Sequence, residues 1–264
     1  MQSIVAADKG TLIRTNQFIV KIAETLLEIE SALKLRFQVF NLEMNEGLQS
    51  SYETGFDSDV FDTFCDHLIV QERTSGKTVG TYRLLRQDKA EQHIGFYSEG
   101  EFDMTTFKTN THHAMELGRS CVAKEFRSAA VINLLWSGIG RYIELHGVTH
   151  LFGCASLHTH DVNAIAPIHA YLSTFHLAPS IFRVHPLSQC RMSLPPYTLH
   201  AQDHSVVFSS LPPLVKGYIR LGAVICGDPA IDREFGTTDF LILLDTERIS
   251  SKYKAHFQST GFAA

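Results

Sequence analysis

The chain has 264 residues, of which 44% are hydrophobic and 19% are charged, and its formal net charge at pH 7 is -5. This length is enough to bury a full core, and the composition is that of an ordinary globular protein. The negative net charge argues against a nucleic-acid binder held mainly by phosphate contacts, so we expect no nucleic-acid partner.

The cysteines and the N-terminus bear on the cellular compartment. The five cysteines are widely spaced and form no C-x-x-C pair, which favours a reduced, cytoplasmic protein. Asp8 and Lys9 precede any long apolar run, so we expect no signal peptide. No stretch approaches the roughly 18 apolar residues that span a bilayer. Any membrane contact is therefore expected at the protein surface.

The first quarter of the chain predicts a strand, a helix and a long polar connection. Alternation in NQFIVKIAE predicts the strand, and residues 25–40 then change to helical spacing. The predicted apolar face of that helix consists of Leu26, Ile29, Leu33 and Phe37. Residues 41–64 are polar and longer than an ordinary connection, which is typical of a lid or a binding loop.

A β-hairpin is predicted next. Ser75 and Gly76 separate two apolar runs, HLIVQER and TVGTYRLLR, as a turn between two strands does. Arg83 and Arg86 are three residues apart on the second run, so on a strand their side chains point to opposite faces. Residues 87–110 are predicted as a loop.

The stretch ELGRSCVAKEFRSAAVINLLWSGIGRYIELHG predicts one strand, one turn and one helix. Glu116 and Arg119 lie on the apolar strand, where an unpaired charge would cost several kcal/mol, so each needs a partner or a function. Ser128 is the predicted N-cap of the helix and Gly147 its stop. A strand that leads into a helix N-terminus suits a phosphate or a thioester carbonyl.

The rest of the chain completes a mixed sheet. VTHLFGCASL predicts a strand, residues 161–176 a helix, and PPLVKGYIRLG a helix that begins with prolines. Strands are predicted at AVIC and DFLILLD, and a last helix at residues 247–257. We expect an α/β or α+β fold with helices on both faces of the sheet. Residues 1–264 are predicted to form one domain, with residues 180–264 as an integral C-terminal extension.

Several kinds of site lack their sequence signature. His158 and His160 have no third ligand at a fixed spacing, so we predict no metal site. The G-x-S-x-G elbow of serine hydrolases and the glycine-rich nucleotide-binding motifs are also missing. Cys121 could be a nucleophile, but a buried strand cysteine is usually an inert packing residue.

The order of several motifs resembles a known family. LRFQVF, FDTFCDHLIV, VGTYRLLR, ELGRSCV, LFGCASL, LPPLVKGYIRLGA and TTDFLILL run in register from about Leu33 to Phe257. Together they resemble the OlsB-type, acyl carrier protein-dependent N-acyltransferases that make lyso-ornithine lipid. That family is similar to acyl-homoserine-lactone synthases and, more distantly, to GNAT acyltransferases. The resemblance implies a GNAT-like mixed sheet that splays at its centre around an acyl-phosphopantetheine arm, and no bound cofactor.

The resemblance also assigns catalytic roles. It makes Glu116 the general base for amide formation, and we expect partial burial to raise its pKa into a useful range. The alternative for Glu116 is a structural ion pair with Arg119. Arg119 would order the site or the pantetheine phosphate region. Backbone N–H groups near Cys121 and Val122 are candidates for the oxyanion hole.

The acceptor is expected to be ornithine, a cationic amino acid. Arg36 and Arg83 are candidates for binding its carboxylate, with Phe40 in the same substrate region, whereas Asp62 and Asp66 would bind its second ammonium. Alternatives are another amino acid such as glycine or lysine, a signal synthase that uses S-adenosylmethionine, and a non-enzymatic acyl-carrier or lipid-binding module.

The donor prediction depends on the turn at Arg127 and Ser128. GNAT proteins have glycines there that wrap the diphosphate of coenzyme A, whereas this chain reads FRSAA. Acyl carrier protein presents a single phosphodiester, so the missing glycines favour a carrier-protein donor. Because the product is a single-chain amphiphile, a peripheral contact with the inner membrane is a further expectation. PPLVKGYIRLG is a candidate for it, with an ordinary packed helix as the alternative.

Overall fold

A computed structural model describes residues 10–127 and 129–247. Its contacts divide the chain into two compact units, Met1–Leu84 with Gly118–His146 and Leu85–Leu117 with Gly147–Ala264. Within the described residues, no helix is both long enough and apolar enough to cross a membrane.

The first unit contains a sheet with the strand order β1-β2-β3-β4-β6, in which β1 to β4 pair antiparallel. Its strands are β1 (Thr11–Arg14), β2 (Phe18–Ile22), β3 (Asp66–Glu72), β4 (Thr78–Arg86) and the second half of β6 (Ala114–Val122). Its helices are α1 (Leu26–Arg36), α2 (Ser51–Thr54) and α5 (Ala129–His146). A π-helical segment (Phe37–Glu43) and two 3-10 turns (Val60–Thr63 and Lys124–Phe126) complete it.

Helices α1 and α5 cover opposite faces of this sheet. At Gly138 of α5 an added Cβ would lie 2.7 Å from Val20 and 3.0 Å from Leu68, so only glycine allows such a close approach. On the other face, Glu28 of α1 forms an ion pair of 2.8 Å with Lys21. Lys21 follows Val20 on β2, and successive side chains of a strand point to opposite faces.

The apolar face predicted for the first helix is only partly right, because Ile29, Leu33 and Phe37 are half-buried and Leu26 is not. The structure buries Ala32, Leu35 and Arg36 of α1, while Leu26 is 78% exposed. The buried face of α1 therefore differs from the predicted one and includes a charged residue. Arg36 can be buried because carboxylates pair with its guanidinium group in the interior.

The second unit combines a parallel and several antiparallel strand pairs. Its strands are the first half of β6, β5 (Phe102–Asp103), β7 (His150–Leu157), β8 (His185–Pro186), β9 (Val224–Ile225), β10 (Ala230–Asp232) and β11 (Thr237–Asp245). The order is β6-β7-β11-β10, with β9 beside β11, and β5 pairs separately with β8. The β6–β7 pair is parallel, and β11 pairs antiparallel with β7, β9 and β10, so the predicted mixed sheet is confirmed.

Helices and short turns connect these strands. The helices are α3 (Gln87–Gln92), α4 (Thr105–Asn110), α6 (Val162–Phe175), α7 (Asp203–Ser210) and α8 (Pro213–Leu221). The 3-10 turns are Tyr97–Gly100, Ser180–Phe182 and Ser188–Cys190. Residues 87–110 are thus not a loop: they hold two helices, a turn and a strand, all too short to show periodicity in the sequence.

The stop predicted for α5 is confirmed, because Gly147 adopts the left-handed conformation with φ 63°. The predicted N-cap, Ser128, lies outside the described residues, and so does the predicted last helix beyond residue 247. The eight residue pairs between β7 and β11 place residues 237–245 in the same sheet as residues 150–157.

Candidate active site

Six charged side chains of the first unit form an arginine–aspartate network. Its members are Arg36, Arg83, Arg119, Asp57, Asp59 and Asp62. Arg36 lies 2.5 Å from Asp57 and 2.7 Å from Asp62. Arg83 donates to Asp59 at 2.6 Å, and Arg119 donates to the other oxygen of Asp59 at 3.1 Å.

The network is buried and its charges balance. Arg36 is fully buried, and Arg83 is 4% exposed. Burial opposes ionisation of Asp62, but the guanidinium groups of Arg36 and Arg83 hold the pKa of Asp62 well below its ordinary value. The positive charges of Arg36 and Arg83 thus offset the cost of burying the Asp62 carboxylate.

The network conflicts with the predicted acceptor site. Arg36 and Arg83 were expected to bind a substrate carboxylate, but their side chains are buried against aspartates of the protein. Asp62 is held by Arg36 through two hydrogen bonds, at 2.7 and 3.1 Å. These residues therefore expose little surface through which they could contact the acceptor directly.

Asp62 and Asp66 do not share a site. Asp66 accepts a hydrogen bond from the Tyr142 hydroxyl of α5. Asp66 and Leu68 are two apart on β3, so both point to the face that α5 covers. Asp62 instead joins the network with Arg36, at the C-terminal end of α1.

Arg119 has an unusual backbone conformation. Its φ is 51°, in the left-handed region that residues other than glycine seldom occupy. The side chain is 9% exposed and lies 3.1 Å from Asp59 and 3.4 Å from Asp57. Such backbone strain persists only where surrounding contacts enforce it, and the two aspartates supply such contacts here.

The remaining predicted site residues of the first unit are placed as follows. Phe40 is half-buried in the π-helical segment. Burial raises the pKa of the Cys121 thiol to about 12, which agrees with an inert packing role. The side chain of Arg127 donates to the Val122 carbonyl at 3.1 Å and pairs with Glu43. Ser128 is outside the described part of the chain.

Glu116 of the second unit is held by the 3-10 turn at residues 97–100. Its carboxylate accepts hydrogen bonds from the backbone N–H groups of Tyr97 and Ser98, both at 2.8 Å. The Ser98 hydroxyl donates a third hydrogen bond. Glu116 is 5% exposed. Three donors favour the ionised carboxylate in a buried position and fix its orientation.

Further buried carboxylates lie near Glu116 in this unit. We call Glu101, Asp232 and Asp239 the acidic cluster; each of them is at most 7% exposed. Burial, followed by the charges of Asp239, Asp232 and Glu116, raises the pKa of Glu101 to about 9. Negative charge therefore dominates around Glu101, and this carboxyl group is protonated at neutral pH.

Neutral groups donate to the acidic cluster. Tyr97 donates its hydroxyl proton to Asp232 at 3.0 Å, and Thr237 donates to Asp239 at 2.7 Å. The Cys154 sulfur lies 3.7 and 3.8 Å from the two carboxylate oxygens of Glu101. Ligand atoms of Glu101, Cys154 and Asp239 lie within 4.8 Å of one another, close enough to share one small cation.

Sequence reasoning missed Glu101, Asp232 and Asp239. For Asp239 a signal existed, because TTDFLILL places a carboxylate on an apolar strand, as ELGRSCV does for Glu116. Glu101 follows a 3-10 turn and Asp232 ends the three-residue strand β10, elements too short to show a pattern in the sequence, and only the fold brings the two residues to β11.

Helix α8 forms as predicted and packs through one face. Val215, Tyr218 and Ile219 are buried, whereas Leu214 is 42% exposed. Lys216 donates to the Ser209 carbonyl at 2.6 Å, so its charge lies against α7.

Comparisons with known proteins agree with this fold. The profile of the "Acetyltransferase (GNAT) domain" matches residues 35–137. Among solved structures, the acyl-homoserine-lactone (AHL) synthase LasI gives a TM-score of 0.50 at 15% identity, covering 88% of this chain and 91% of LasI. FeeM, an N-acyl amino acid synthase from uncultured soil microbes, gives a TM-score of 0.50 at 8% identity, covering 90% of this chain and 95% of FeeM. These likenesses confirm the GNAT-like fold.

Curated relatives match nearly the whole chain. An L-ornithine N(alpha)-acyltransferase of Brucella abortus is 38% identical, covering 97% of this chain and 95% of the relative. An L-ornithine N(alpha)-acyltransferase of Rhodobacter capsulatus is 34% identical, covering 90% of this chain and 93% of the relative. At this identity and coverage, the chain belongs to the L-ornithine N(alpha)-acyltransferase family.

Proposed function

We propose that the protein transfers a fatty acyl group from acyl carrier protein to the α-amino group of L-ornithine, giving lyso-ornithine lipid. The observation that carries this proposal is the second-unit site, where the oriented carboxylate of Glu116 lies among further buried acids. Family membership supports the acyl transfer and the acceptor, and the acidic cluster suits an amino acid that carries a second positive charge.

The chemistry requires one proton acceptor. The neutral α-amine of ornithine attacks the thioester carbonyl carbon, so a C–N bond forms and the C–S bond breaks. Glu116 takes the proton from the amine, directly or through a water molecule, and the proton finally resides on the departing pantetheine thiol. Backbone N–H groups near Cys121 and Val122 are the proposed donors to the oxyanion.

The acidic cluster binds the side-chain ammonium of ornithine in this proposal, in place of Asp62 and Asp66. Glu101 and Asp239 are the proposed partners of that ammonium. An approaching cation favours ionisation of Glu101, so binding releases the proton that Glu101 holds at neutral pH. The ammonium group thereby reduces the electrostatic repulsion among these neighbouring buried carboxylates.

The arginine–aspartate network has a supporting role. It holds the 3-10 turn of Asp62 against α1 and β4, and it stabilises the left-handed backbone at Arg119. Arg119 is therefore proposed to position β6 rather than to transfer a proton. Arg36 and Arg83 are likewise assigned to this network and not to the acceptor.

Acyl carrier protein is the proposed donor because the turn FRSAA lacks the glycines that approach a diphosphate closely. Arg127, which is exposed and paired with Glu43, is the proposed contact of the single phosphate. A peripheral inner-membrane contact through the exposed Leu214 of α8 also remains a proposal.

The test uses purified protein, acyl carrier protein carrying a 3-hydroxyacyl chain, and ornithine, with the product identified by mass spectrometry. We expect N-acylornithine from this donor, poor turnover with the matched acyl coenzyme A, and no acyl lactone from S-adenosylmethionine. Glu116→Gln should lower kcat/KM by about 100- to 10,000-fold. Equal turnover of both donors would contradict the donor assignment, and full activity of Glu116→Gln would contradict the proton-transfer role.

A further inference from the structure

The 3-10 turn Tyr97–Gly100 contacts both functional parts of the second unit. On one side, its backbone N–H groups and the Ser98 hydroxyl donate to Glu116. On the other side, the Tyr97 hydroxyl donates to Asp232 of the acidic cluster at 3.0 Å. Glu101, the cluster member with the raised pKa, directly follows the turn.

We propose that Ser98 and Tyr97 are positioning residues, through which this one turn orients the proton acceptor and the acceptor-binding acids separately. Ser98 acts through Glu116 and Tyr97 acts through Asp232. The inference rests on the proposed function, because it takes Glu116 as the base and the acidic cluster as the ornithine subsite.

Because Ser98 is buried, its hydroxyl group bonds to protein groups, one of which is the Glu116 carboxylate. Ser98 is fully buried, so its hydroxyl has protein partners, and these are the Glu116 carboxylate and the Cys154 sulfur at 3.4 Å. Removing the hydroxyl takes one hydrogen-bond donor away from Glu116. A buried carboxylate with fewer donors is protonated more readily, so the base would be in its active form over a narrower pH range.

Other titratable groups near Glu116 belong to several elements. They are Glu101 after the turn, Cys154 on β7, Asp232 on β10 and Asp239 on β11. Burial raises the pKa of Glu101 to about 9 and raises the pKa of the Cys154 thiol well above its ordinary value. Both groups therefore stay protonated across the acid side of the pH profile.

The test measures kcat, and KM for ornithine, from pH 5 to 9 in Ser98→Ala, Ser98→Thr and Tyr97→Phe. Ser98→Ala should lower kcat about tenfold at neutral pH and move the acid limb of the profile upward by about one pH unit. Its activity should recover at high pH, and Ser98→Thr, which keeps the hydroxyl, should remain within about threefold of wild type. Ionisation of ornithine is common to all variants, so a shift between them belongs to the protein.

Tyr97→Phe should behave differently, because it removes a donor from the acidic cluster and keeps the backbone N–H on Glu116. We expect KM for ornithine to change about three- to tenfold and the acid limb to stay in place. Ser75→Ala is the matched control: the exposed Ser75 also donates to a glutamate, Glu72, at 2.6 Å, and its loss should change neither parameter.

The outcomes separate this inference from the proposed function. An equal loss at every pH in Ser98→Ala, with an unmoved acid limb, would mean a merely structural serine and would overturn the inference. An acid-limb shift in Tyr97→Phe would overturn the division between the two residues. If Glu116→Gln keeps full activity, the proposed base itself fails, whatever the Ser98 variants do.

Discussion

The arginine–aspartate network of the first unit and the acidic cluster of the second are both buried and both rich in carboxylates. In the network, three guanidinium groups match three carboxylates, and the pKa of Asp62 is held below its ordinary value. In the cluster, burial and neighbouring carboxylates raise the pKa of Glu101 to about 9.

We expect this difference to separate charges that stabilise the fold from charges that bind the substrate. In the network the positive and negative charges lie next to one another, whereas a buried cluster of acids is stabilised by an added cation. Perturbing the network should therefore change the free energy of unfolding, and perturbing the cluster should change the recognition of ornithine.

The largest effect is expected for Arg36→Met. It leaves the buried carboxylates of Asp57 and Asp62 without their main cation, so we expect the free energy of unfolding to fall by about 3–5 kcal/mol. Chemical denaturation measures this change. The double variant Arg36→Met/Asp57→Asn should lose less, because one uncompensated charge is removed. A loss below about 1 kcal/mol in the single variant would place Arg36 outside the structural network.

Asp239→Asn is expected to act on the substrate. It removes a charge from the acidic cluster, so KM for ornithine should rise about 10- to 100-fold, as for a lost hydrogen bond to a charged group. Use of norvaline, which lacks the terminal amine, should change little. Asp245→Asn, at the other end of β11, is the matched control. Equal losses with ornithine and norvaline would remove the ammonium-binding role.

Glu101→Gln is expected to change the pH dependence of stability. The folded-state pKa of Glu101 is about 9 against 4.5 without the fold, so the folded protein retains a proton that the unfolded chain loses between these values. Wild-type stability should therefore fall as pH rises from 4.5 towards 9, because the unfolded chain binds fewer protons.

Thermal melts of Glu101→Gln at pH 5 and pH 8 test this sign. The variant cannot titrate at this position, so its Tm should exceed that of wild type at pH 8 and match it more closely at pH 5. The difference should amount to about 2–4 °C for each kcal/mol recovered. The same pH dependence in both proteins would show that Glu101 ionises normally.

The smallest effect is expected for Asp66→Asn. It weakens one hydrogen bond from Tyr142, so the free energy of unfolding should fall by about 1 kcal/mol. Because Asp66 lies on the α5 side of β3, the ratio of ornithine to glycine use should stay unchanged. A selective loss of ornithine use would return Asp66 to the acceptor site.

Local patterns in the sequence were sufficient for much of the fold. Alternation and turn residues located the β3–β4 hairpin, and the prolines at the start of α8 and Gly147 after α5 marked helix boundaries. The order of motifs also identified the family. Turn residues, strand alternation and helix boundaries depend on a few neighbouring residues, so they can be recognised without the tertiary structure.

The division of charge was decided by the tertiary structure alone. The sequence placed Glu116 on its strand, but motif order does not show that Arg36, Arg83 and Asp62 form ion pairs within one buried network. Glu101 is far along the chain from Asp232 and Asp239, and the three carboxylates come together only when β10 and β11 join the sheet. Electrostatic balance is a sum over distant segments in a buried environment, and local propensity carries no information about that sum.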